Sequence, residues 1–210
     1  MRFPTPGAAL RAATLLLCAT LASGLAQAQA SSSPGALIPP EALRVTGPLP
    51  PAQSGVTDLK FKDMFEMPVG PRGLRPSAKL LALRGQRVRM VGYVADAEEA
   101  TPGMLVLTPI PVTLGDDDEK LVDDLPPTAV FVHLHPRFAQ ARTPNFAGLV
   151  QLTGTLELGA HEEADGHVST TRLVLDEALS QTLADAATLV RTAADLHPSH
   201  HQPAPVSPHP

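Results

Sequence analysis

His133 and His135 stand two apart in TAVFVHLH, so in an extended strand both imidazoles leave the same face beside Phe131, close enough to share one ion. Neutral imidazole suits zinc or copper, but a pair needs a third ligand before it makes a site. His161 and His167, in the hairpin sequence AHEEADGH, are candidates for it, and His197, His200, His201 and His209 lie in a Pro-rich end free to wrap an ion. The same residues also fit ordinary solvent-face histidines, a polar hairpin and a solvated tail. Arg87, Arg89 and Tyr93 share one face of RVRMVGYV, where an aromatic ring beside two guanidiniums would suit a carboxylate, a sugar or an acidic peptide. The alternative is that the arginines shield the exterior while Tyr93 packs inward.

Other chemistries lack their residue patterns. The acidic run Asp116 to Glu119 with Asp123 and Asp124 has neither the alternating carboxylates nor the closing glutamate of an EF-hand loop. The chain carries no G-x-S-x-G, no H-E-x-x-H, no P-loop and no dinucleotide fingerprint, so a non-enzyme is expected. Cys18 is the only cysteine. It precedes the expected cleavage point, which leaves a mature chain without disulfides, thiolate catalysis or cysteine metal sites.

Compartment and partners follow from the ends and the charge. Arg2 and Arg11 lead into an uncharged apolar stretch from Ala12 to Leu25, followed by two A-x-A sites, Ala26-Gln27-Ala28 and Ala28-Gln29-Ala30. Residues 1–30 therefore predict a signal peptide and a periplasmic or secreted product, with no membrane span after its removal. The leader holds two arginines and no acid, so its loss takes the formal charge from −5 to −7. An acidic chain with no Trp and one Tyr argues against a nucleic-acid partner. An unidentified periplasmic protein or small ligand is the expected partner.

These groups must be held by the elements between two Pro-rich ends. Residues 31–54 (SSSPG, IPP, GPLPP) predict a linker, residues 197–210 a disordered His/Pro-rich tail, and residues 55–196 one domain. Within it, Val56 to Phe65 predicts a short strand or helical turn, and Ser77 to Leu83 a short helix. Five strands follow: RVRMVGYV, MLVL, TAVFVHLH, LVQLTGTLEL and HVSTTRLVLDE. Asp176 is a candidate N-cap for an amphipathic C-terminal helix with Leu179, Leu183, Ala186 and Val190 on one stripe. Gly92 and Gly154 interrupt apolar strand centres, which predicts positive φ or close backbone approach at corners of a curved sheet.

Leu83, Gly85, Val88, Met90, Gly92, Tyr93 and Val94, then Gly103 to Pro109, Pro126 to Leu134 and Val150 to Leu158 together resemble bacterial secreted OB-like domains. The pattern is similar to a family of exported bacterial proteins of unknown function. The resemblance implies a mainly β fold, a small five-stranded OB-like barrel with a C-terminal amphipathic helix. It implies no activity. The residues together favour a non-catalytic binding or accessory module, with periplasmic metal binding through the strand and tail histidines as the alternative.

Overall fold

A computed structural model describes residues 36–97, 100–114 and 125–196, with side chains as far as residue 189. The predicted signal peptide, the acidic run and the tail, with His197, His200, His201 and His209, lie outside the described residues. The described chain is mainly β. In order it forms β1 (Thr57–Asp58), α1 (Ala78–Ala82), β2 (Arg87–Val94), β3 (Asp96–Ala97), β4 (Met104–Thr108), β5 (Thr113–Leu114), β6 (Val130–His133), β7 (Leu149–Glu162), β8 (Val168–Leu175) and α2 (Glu177–Leu196).

Six strands make one mixed sheet in the order β1-β2-β4-β6-β8-β7, and β7 pairs again with β2. The pairings from β2 through β4, β6, β8 and β7 therefore return to β2, with β1 added beside it. Along β2, Arg87 to Tyr93 run antiparallel to Thr155 to Leu149, while Tyr93 and Val94 face Thr108 and Leu107 on the other edge. β6 and β8 run parallel, Val132 opposite Leu173.

Alternation explains the core. Val88, Met90 and Val94 of β2, Leu105 and Leu107 of β4, Val130 and Val132 of β6, Val150, Leu152 and Leu156 of β7, and Leu173 and Leu175 of β8 form one buried cluster. Leu183 of α2 joins it, Ala186 packs beside it, and Leu189 points to solvent. All five residues of β4 are buried, because Ala95, Met104, Val106 and Phe131 form a second cluster on the opposite side, covered by Val112, Leu114, Leu125 and Ala129. The chain thus covers the outer face of β4 and β6 itself.

The glycine expectation holds in one of its two forms. Neither Gly92 nor Gly154 has positive φ, but both lie against neighbouring backbone.

The expected linker is corrected from residue 36 onward. Leu37 exchanges backbone bonds with the strip at Phe146, Leu37 N to Asn145 O at 2.8 Å and Ala147 N to Leu37 O at 2.7 Å. Pro40 O then accepts from Leu43 N and Arg44 N in a single turn, which seats Leu43, fully buried, in the main cluster, and Gln151 N donates to Leu43 O at 2.7 Å. The prolines suggested a linker by removing donors, yet the strip needs only a few donors and two leucines. Leu43→Ala is accordingly expected to lower stability by about 2 kcal/mol, the low end for a buried leucine because a short strip can partly collapse. Urea melts measure it, and limited proteolysis should cut wild-type residues 36–54 slowly. An unchanged midpoint with rapid cleavage there would show that the strip does not pack.

Candidate functional site

The two strand arginines are committed to the scaffold. Arg89, 8% exposed, donates from Nε to Asp58 Oδ1 at 2.7 Å and from Nη2 to Asp58 Oδ2 at 3.0 Å and Pro50 O at 2.9 Å. It clamps β1 and the strip before it to β2, and its hydrogen bonds hold the Asp58 carboxyl below the usual range. Arg87 pairs through Nη2 with Asp176 Oδ2 at the head of α2. Tyr93 is half-buried where β2 turns to pair with β4. Arg87, Arg89 and Tyr93 therefore share a strand, as expected, but both guanidiniums already hold carboxylates of this chain.

The histidines separate. His135 leaves the end of β6, its backbone N–H donating to Ser180 Oγ of α2 at 2.8 Å. His161 lies on β7 opposite Ser169. His167 sits beside Asp165, Nδ1 to Oδ2 at 3.2 Å, with its ring 6.2 Å from that of Phe131. Among the described residues no group of three or more His, Cys, Asp or Glu is placed to hold a metal ion. His133, His135, His161 and His167 thus form no ligand set with one another.

His133 belongs instead to a buried polar cluster. Glu163, its side chain 1% exposed, accepts from Arg172 Nε at 2.7 Å and from Ser169 Oγ, and its second oxygen lies 3.0 Å from His133 Nε2. That last contact is within ion-pair range but off hydrogen-bond geometry. Burial is the largest influence on His133 and holds its pKa below the ordinary value, against the upward pull of Glu163. Burial alone would raise Glu163, but the hydrogen bonds from Arg172 and Ser169 and the charge of His133 bring it below the ordinary value. Ser169 donates to the Glu163 carboxylate and accepts from Arg172, but it is 1% exposed, so the geometry is a buried cross-strand lock whose hydroxyl no substrate reaches.

A cavity of about 40 Å³, room for roughly one water-sized group, opens where Ala97 and Thr101 beyond β2, Met104 of β4, Thr143, Asn145 and Asp165 of the β7–β8 hairpin meet. Two of its side-chain donors are engaged. Thr143 Oγ1 donates to Met104 O at 3.4 Å, and Asn145 Nδ2 donates to Asp96 Oδ1 and to Ala97 O at 3.2 Å. The polar lining is left with the Thr101 hydroxyl, which can donate or accept, and with acceptor oxygens. No motif marked these residues, because three separate loops supply them.

Compared with protein-family models, curated proteins and solved structures, the chain matches none. No helix of the described residues is long and apolar enough to cross a membrane.

Proposed function

We propose that the chain is an exported, non-catalytic binding module built on a small OB-like barrel, similar to secreted bacterial domains of that architecture. The returning ring of pairings β2-β4-β6-β8-β7-β2, with β6 and β8 parallel, supports the barrel, since a five-stranded Greek-key sheet must close in some such way to remove its edges. The leader sequence supports export to the periplasm.

The partly polar cavity carries the binding proposal. It lies beside the second cluster at Ala95, Met104, Val106 and Leu114, between the segment after β2 and the β7–β8 hairpin, and its oxygens suit a hydroxyl, amine or amide N–H from a small ligand or a partner's side chain. The non-catalytic part rests on commitment. Arg87, Arg89, Arg137, Arg172 and Glu163 are all held in ion pairs within the chain, and the one hydroxyl on Glu163, that of Ser169, is buried.

A photo-cross-linking residue at Thr101 or Asp165, installed in the chain in its native envelope, tests the site. Adducts from these two positions and none from exposed Glu157 on β7 are expected, read as mass shifts. Equal adducts at all three positions would contradict the site, and turnover of esters, phosphoesters or glycosides at enzymatic rates would contradict the non-catalytic assignment.

A further inference from the structure

The hairpin from Met64 to Ser77 is rooted in the main cluster through Met64 and Phe65. Its legs are joined by Ser77 N to Met64 O at 2.9 Å and Glu66 N to Arg75 O at 2.8 Å, and Gly73 N on Gly70 O at 3.0 Å closes the tip. The base is fixed, with Met64 fully buried and Ser77 Oγ donating to Asp63 O at 2.5 Å. From Glu66 to Pro76 every residue is nevertheless exposed, including Met67 at 73% and Val69 at 50%, with Leu74 beside them. Single exposed aliphatics are ordinary, but three on one ordered arm form an unsatisfied apolar tip.

Charge distinguishes the arm together with the segments at its base. Lys60 to Arg84 holds six basic and two acidic residues in a chain whose formal charge is −5. Arg75 reaches Glu66 only at 3.7 Å, and Lys60, Lys62 and Arg72 make no ion pair among the described residues.

We propose that the arm docks the domain on an anionic lipid surface, Met67, Val69 and Leu74 entering the headgroup boundary while Arg72, Arg75, Lys60 and Lys62 meet phosphates. Apolar side chains rimmed by cations are what such a surface takes up. A protein partner fits less well. A two-stranded tip with three aliphatics offers far less than the ~800 Å² a side that stable protein interfaces bury, and between Glu66 and Pro76 it has none of the aromatic anchors they favour. This docking is independent of the cavity and its ligand.

Co-sedimentation of the chain, purified from its native envelope, with phosphatidylcholine vesicles containing or lacking phosphatidylglycerol tests the proposal. At least about tenfold stronger partitioning to the anionic vesicles is expected, falling as salt is raised. Met67→Asp, and separately Arg72→Glu with Arg75→Glu, should each reduce it by about tenfold. Because these side chains bury nothing, the variants should keep the wild-type melting midpoint. Equal partitioning to both vesicles, sedimentation with neither, or variants that bind like wild type would overturn it.

Discussion

Gly154→Val is expected to cost at least about 4 kcal/mol and Gly92→Val about 3 kcal/mol. Gly154, like Thr155 after it, is paired on both edges of β7, with Val88 of β2 and Leu175 of β8. A Cβ there would lie 2.8 Å from the Val174 carbonyl carbon and 3.0 Å from Leu175 Cα, closer than side-chain carbons approach backbone. Neither neighbour can move without breaking a ladder. At Gly92 the Cβ would meet Thr108 O at 2.6 Å and the Phe61 ring at 2.8 Å. The ring can swing aside and the carbonyl cannot, hence the smaller figure. Chemical denaturation of both variants measures the effect. Unchanged or raised midpoints would mean that the strands separate at these corners.

Glu163→Ala should cost about 3 kcal/mol, since it leaves Arg172, with 18% of its side chain exposed, and the Ser169 hydroxyl without their acceptor. Glu163→Gln should lose less, because an amide oxygen can still accept from one of them. The same cluster gives stability a pH dependence of definite sign. His133 has its pKa depressed from 6.5 in the folded chain, so its contribution is complete above 6.5 and is lost as pH falls through the folded value. Glu163 is depressed from 4.5, so its contribution is complete above 4.5 and is lost on further acidification. Glu157 raises the His133 pKa and Arg172 lowers it, both less than burial does. Urea melts between pH 8 and 4 should therefore show stability beginning to decline near 6.5 and declining further below 4.5. His133→Asn should flatten the upper part and Glu163→Gln the lower. A stability that rises on acidification from pH 7 would contradict the arrangement.

The strands were legible because their alternation is local. RVRMVGYV becomes β2 residue for residue, and LVQLTGTLEL opens β7, which runs on to Glu162. What escaped depends on contacts between distant segments. Nothing in IPPEALR announces that Leu43 will be buried, since that requires β7 to offer Gln151 N. Arg89 has an alternation phase that suggests solvent, but Asp58, from a segment read as a short strand or helical turn, and Pro50, from one read as linker, cover it. Glu163 was unreadable for a further reason. The register of β7 against β8 shifts between Leu158 and His161, so simple alternation fails just before the hairpin that carries it. The histidine pair shows the reverse error. His133 and His135 would share a face only if the strand ran through both, and β6 ends at His133.

Closure of the strand ring is what brings the segment after β2 and the β7–β8 hairpin around one cavity, and its narrowest joints are the two residue pairs between β2 and β4 and the three between β6 and β8. Cross-strand nuclear Overhauser contacts in the isotope-labelled chain test both at once. The proposed barrel predicts contacts of Val94 with Leu107 and of Val132 with Leu173 in the same folded species that shows Met90 against Leu152. A folded species with the Met90–Leu152 contact but lacking either of the other two would be an open sheet, and would contradict it.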